Sequence, residues 1–213
     1  MNEQPMLTVR RLGRTRYEAA HALQEELLAA RIDGRIGDQL LLTEHDPVVT
    51  LGRKSPPGDA GDSGLPLVAV ERGGEATFHG PGQIVGYPIL LLAEDRRDLH
   101  RYLRDLEEVV IRTLADFDVV GRRQAGLTGV WIGESKVCSL GVAVRRWVTW
   151  HGFALNVTTD LEAFQSFQPC GLDPRVMTRL ADHVTGGVDT ATVESRIVKH
   201  FAELFGYGSL TVG

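Results

Sequence analysis

Cysteine is scarce in this chain. Only Cys138 and Cys170 occur, with no C-x-x-C pair, which argues against a disulfide scaffold or a zinc cluster. Long apolar runs are missing too: none approaches the ~20 residues needed to span a bilayer. The opening MNEQPMLTVRRLGRTRYEAA has no apolar signal core. The expectation is a soluble, cytoplasmic protein with reduced thiols and no membrane partner. There is no basic surplus. The formal net charge is −5, and the basic clusters are short: Arg10-Arg11, Arg96-Arg97, Arg122-Arg123 and Arg145-Arg146. Nucleic acid is therefore not an expected partner. The arginine pairs read as solvated faces or as local patches for an acidic protein. No G-K-S/T occurs, so a P-loop is excluded. His45, His79 and His151 all lie near glycine or turn residues, but no pair has H-x-x-x-H spacing and no acidic cluster accompanies them. No metal and no cofactor are expected. Internal repeats and low-complexity tracts are absent as well.

What remains is ordinary globular material. Of 213 residues, 43% are hydrophobic and 24% charged, which fits one domain over residues 1–213 with a core of its own. Residues 98–117 carry the clearest helix: Leu99, Leu103, Leu106, Val110, Leu114 and Phe117 recur at the i, i+3/i+4 spacing of one buried face. Helices are also predicted over 15–31 and 192–205. Strand-like stretches cover 7–12, 39–43, 48–51, 83–92, 129–132, 136–144 and 147–157. The short, closely spaced strands after residue 129 suggest antiparallel neighbours. No regular βαβ alternation appears. The predicted class is α+β in two layers, a mixed and largely antiparallel sheet with flanking helices.

Four segments carry chemistry. Residues 71–83, ERGGEATFHGPGQ, hold five glycines or prolines, so a ligand can lie directly on the main chain. Gly80-Pro81-Gly82 is no dinucleotide fingerprint, because Gly86 comes one residue late and a strand follows instead of a helix. Residues 129–141, GVWIGESKVCSLG, place Lys136 at the start of an apolar strand, where it is either desolvated or snorkels outward. Residues 151–157, HGFALNV, form the third. The fourth, residues 167–172, FQPCGL, sets Cys170 between proline and glycine in a turn, whereas Cys138 sits in a regular apolar stretch. A turn cysteine is better placed to reach a substrate than a buried one.

In order along residues 45–172, these pieces resemble one family, the octanoyl-[acyl-carrier-protein]:protein N-octanoyltransferases. The matching residues are Arg72-Gly73-Gly74, Thr77, His79-Gly80-Pro81-Gly82-Gln83, Lys136, Gly141, Trp147, His151-Gly152, Ala154-Leu155-Asn156 and Pro169-Cys170-Gly171. Phe78 stands where tyrosine is common. The resemblance implies a fold similar to the catalytic domain of biotin and lipoate protein ligases. It also implies a cysteine–lysine dyad: Cys170 as the acyl-carrying nucleophile and Lys136 as its partner. The implied substrate-binding residues are Arg72, Gly73, Gly74, Glu75, Ala76, Thr77, Phe78, His79, Ser139, Leu140, Gly141, Gly152, Phe153 and Ala154. The implied donor is octanoyl-acyl carrier protein. The implied acceptors are lipoyl domains of 2-oxoacid dehydrogenase acyltransferase subunits and the glycine cleavage H protein. An ATP-dependent lipoate–protein ligase or a lipoyl-domain amidotransferase of the same fold is the alternative.

Overall fold

A computed structural model of the chain describes residues 5–56, 64–166 and 173–213. The elements follow in the order β1 (Met6–Thr15), α1 (Tyr17–Ile32), β2 (Asp38–His45), β3 (Val48–Leu51), β4 (Leu67–Ala69), β5 (Thr77–His79), β6 (Gln83–Ile89) and α2 (Leu99–Ala115). They continue with β7 (Gly121–Arg122), β8 (Val130–Ile132), β9 (Ser135–Arg145), β10 (Val148–Asn156), α3 (Thr190–Phe205) and β11 (Ser209–Val212).

Eight strands make the main sheet, in the order β11-β1-β2-β6-β10-β9-β8-β7. Only the pairs β11/β1 and β1/β2 run parallel. The sheet is thus mixed and largely antiparallel, as the spacing of the strands predicts. Strands β4, β3 and β5 form a second, three-stranded sheet.

The main core lies between the sheet and the helices α2 and α3, where Leu106, Val109, Val110, Ile197 and Phe201 meet Leu40, Leu42, Ile84, Phe153 and Leu155. These side chains come from the i, i+3/i+4 rows of the helices and from alternate positions of the strands. Helix α1 covers part of the opposite face: Ala20, Leu27 and Leu28 pack on Leu41, Val85, Tyr87 and Ala154. Strands β2, β6 and β10 are therefore buried on both faces, which is why they read as nearly continuous apolar runs. Asp98 caps α2 by accepting from the His100 and Arg101 N–H groups, and Asp189 caps α3 by accepting from Thr192 N–H. A two-residue turn at Arg146-Trp147, both at positive φ, joins β9 to β10 and matches the twist of the hairpin.

Candidate active site

The meeting of the two sheets opens a concave pocket lined by β5, β6, β9, β10 and the Arg72–Gly74 segment. Strands β9 and β10 form its floor. Their register sets Gly141 opposite Gly152, Leu140 opposite Phe153 and Ser139 opposite Ala154, so the two motif segments meet as a cross-strand block. The 72–79 segment closes over them. Gly73 N–H donates to the Val142 carbonyl at 3.0 Å. That approach needs glycine at 141, since a Cβ there would stand 2.8 Å from the Gly73 oxygen and 2.9 Å from Arg72 Cδ.

Of the fourteen residues implied as substrate-binding, Arg72, Gly74, Thr77, His79, Ser139, Leu140, Gly141, Gly152, Phe153 and Ala154 line this pocket. Gly73, Glu75, Ala76 and Phe78 lie outside the lining. Ala76 and Phe78 pack instead into a satellite core with Val49, Phe164 and Met177. Tyr17, Val85, Tyr87 and His151 also line the pocket and are absent from the sequence-based set. For Val85 and Tyr87 the signal is the two-residue period of β6, which turns both to one face. His151 directly precedes Gly152 within a quoted motif. Tyr17, far away at the start of α1, carries no local signal.

The polar end of the pocket is a connected network. Arg72, 7% exposed, donates through Nη2 to the Thr50 carbonyl and to Thr50 Oγ1, both at 2.9 Å. Gln83 Nε2 donates to the Phe78 carbonyl and to Asn156 Oδ1, which turns its Oε1 toward His79 Nδ1 at 2.8 Å. That oxygen only accepts, so His79 carries its proton on Nδ1, and Nε2 accepts from Thr50 Oγ1 at 3.3 Å. In the same way His45 Nδ1 faces the Thr15 carbonyl at 3.2 Å, so Nε2 accepts from the Tyr87 hydroxyl at 2.7 Å. Burial holds the pocket imidazoles of His79 and His151, and that of His45, neutral. His45 is lowered to about 4, His151 to about 3, with the His21 and Arg72 charges adding to burial, and His79 well below its ordinary value.

Lys136 is 3% exposed and is the second residue of β9, the strand that carries Ser139–Gly141. It stands outside the pocket lining, with Nζ 5.9 Å from the Trp131 ring centroid. Its carbonyl accepts from Thr178 N–H at 2.9 Å, and it bridges Met177. Gly129 gives it room: the Gly129 N–H donates at 3.0 Å to Glu107, a fully buried carboxylate that also pairs with Arg104 and Arg123. Cys138 is fully buried, and burial pushes its thiol well above the ordinary range, which fits an inert structural cysteine. Cys170 lies outside the described residues. Of the histidines weighed as metal ligands, His45 and His79 have their ring nitrogens engaged as described. Among the described residues the grouping of metal-ligand type is instead His21, Glu71 and His151. No helix among them is long and apolar enough to cross a membrane.

Comparison with known proteins gives the same picture. The model of the lipoyl protein ligase A/B catalytic domain matches residues 16–202. An octanoyltransferase of Geobacter metallireducens is 50% identical over 82% of this chain and 82% of its own length. Among solved structures, lipoate-protein ligase A bound with ATP superposes with a TM-score of 0.76 at 18% identity, covering 98% of this chain and 90% of that one. A biotin protein ligase from Aquifex aeolicus in complex with biotin and ATP superposes at 0.57 and 12% identity, covering 96% and 70%. The fold is thus shared with both ligase groups, as the motif resemblance implies. With a pocket assembled from the family's ordered motifs and relatives this similar over most of its length, the chain belongs to the lipoyl protein ligase A/B catalytic-domain family, among its octanoyltransferases, and is an acyltransferase.

Proposed function

We propose that the chain moves an octanoyl group from octanoyl-acyl carrier protein to a lysine of a lipoyl domain, by way of a thioester on Cys170, with Lys136 as the partner of that thiol. The observation that carries this reading is the convergence of ten motif residues on one pocket with apolar walls and a polar end. Val85, Leu140, Phe153 and Ala154 suit an acyl tail, while buried Arg72 supplies a fixed positive charge at the polar end. Val142 turns its carbonyl to the 72–74 segment. Strand geometry then directs the Leu140 N–H, two residues earlier, to the same edge, where a donor would steady an oxyanion.

In the first step the Cys170 thiolate attacks the donor thioester, and the carrier's thiol leaves with a proton. In the second, the acceptor lysine's amine attacks the new thioester, an amide forms, and Cys170 is released. A free cysteine, with a pKa of ~8.5, is only a few per cent thiolate at neutral pH. An ammonium beside it favours the thiolate, and the same lysine, once neutral, can take the amine's proton. The described residues on the two sides of Cys170 are tied to each other, and one of them to this lysine. Met177 bridges Lys136, and Phe164 shares a buried cluster with Met177. Both steps exchange an already activated acyl group, so no nucleotide is required.

The test is intact-protein mass after incubation with octanoyl-acyl carrier protein, without ATP and without acceptor. One added octanoyl group, cleared on addition of a lipoyl domain, is expected. Transfer seen only with ATP and free octanoate would replace this reading with the ligase one. A second expectation concerns Gly129→Ala. The new Cβ would stand 2.6 Å from Lys136 Cε and 2.8 Å from the Cys138 carbonyl, at a φ of +143°. Overpacking of this kind costs about 1–3 kcal/mol, and a displaced Lys136 should cut the transfer rate about tenfold or more. Thermal melts and single-turnover rates measure the two effects. An unchanged rate in a destabilised variant would separate Gly129 from Lys136 placement.

A further inference from the structure

Three side chains from three separate elements come together beside the pocket, to whose lining His151 belongs: His21 from α1, Glu71 from the 70–76 segment and His151 from β10. Glu71 Oε2 lies 3.3 Å from His21 Nε2 and 3.8 Å from His151 Nε2, and the three ligand atoms all fall within 4.8 Å of one another. Bonds of ~2.0–2.1 Å to a tetrahedral ion set ligand atoms ~3.4 Å apart, close to this spacing.

Two further observations point to a ligand. His151 is 1% exposed, and neither of its ring nitrogens has a hydrogen-bond partner, although buried polar atoms are normally satisfied. Its backbone is held at φ +54°, which aims the imidazole at some cost in strain. His21, for its part, keeps Nε2 toward Glu71 while its Nδ1 faces Glu25 Oε2 at 3.8 Å. An outer carboxylate behind a histidine is the arrangement that orients metal-bound imidazoles.

We propose that His21, Glu71 and His151 form a three-ligand site for a divalent transition-metal ion, with Zn²⁺ the best fit and one coordination position left toward the pocket. Two imidazoles and one carboxylate suit zinc, nickel or copper, whereas calcium and magnesium take oxygen ligands. Arg53 and Arg72 lie near enough to act on His151. Their charge disfavours weakly bonding cations and leaves the site to ions that bond imidazole strongly. This site goes beyond acyl transfer, and ion binding does not depend on it.

The experiment uses the full chain, stripped with a chelator, without substrate. Co²⁺ is titrated as a coloured probe and then displaced with Zn²⁺. One equivalent is expected, with visible bands of tetrahedral cobalt and without thiolate charge-transfer absorption. His21→Ala and Glu71→Gln change partly exposed side chains and should preserve the fold, which circular dichroism verifies; each should weaken binding tenfold or more. Absence of the tetrahedral bands, a thiolate signature, or unchanged affinity in both variants would overturn the site.

Discussion

Octanoyl transfer should fall by about a thousandfold or more when Cys170 is replaced by alanine, and stay within about twofold when Cys138 is. The contrast follows from the proposed thioester route: without its nucleophile, only binding and oxyanion stabilisation would remain. The second part rests on geometry. Cys138 is enclosed between β8 and β10, with its thiol 3.6 Å from the Ser139 carbonyl, and burial keeps it protonated. Loss of its sulfur leaves a small void in the main core and costs stability of about 1 kcal/mol rather than rate. Single-turnover transfer from octanoyl-acyl carrier protein measures both variants. Comparable losses in both would remove the assignment of one nucleophile.

The second large effect concerns acid. His45 and His151 stay neutral in the folded chain down to about 4 and about 3, whereas an unfolded histidine binds its proton at ~6.5. Between these limits the unfolded chain holds more protons, so stability must fall as pH drops. From pH 7.5 to pH 5 each of these two histidines should remove about 2 kcal/mol, a large share of the ~5–15 kcal/mol that holds an ordinary domain. His79, shifted the same way, adds to the loss. Urea unfolding across that range should show the midpoint sliding down well before carboxylates titrate. Imidazole NMR resonances of His45 and His151 titrating near ~6.5 in the native protein would sink this expectation.

Residues 98–117 disclose helix α2 in the sequence because its apolar residues repeat with the helical period over nearly five turns. The hairpin of β9 and β10 is legible for a different reason: its strands are long, eleven and nine residues, and mostly apolar. Strands β4, β5, β7 and β11 have two to four residues each, too few for a period to show. They exist because partners elsewhere in the chain pair with them. The pocket divides along the same line. Its glycines are visible as motifs, since close backbone approach forbids any other residue at Gly141. The grouping of His21, Glu71 and His151 is not visible, because only the fold brings together positions from a helix, a loop and a strand. His79's tautomer likewise depends on Gln83 and Asn156, the latter 73 positions from Gln83.

Strand β11 lies beside β1, with Thr211 bonded to Thr8 across 203 positions. Ribosomes add ~5–20 residues per second, so about ten to forty seconds separate the emergence of the two partners. Throughout that interval β1 can pair with β2, which follows it closely, but its outer row of backbone donors and acceptors has no mate. An unmatched row of this kind is a template for other chains. That edge stays open until residues 209–212 emerge, so slowed translation between the codons of β2 and β11 should raise aggregation more than the same slowing ahead of β1.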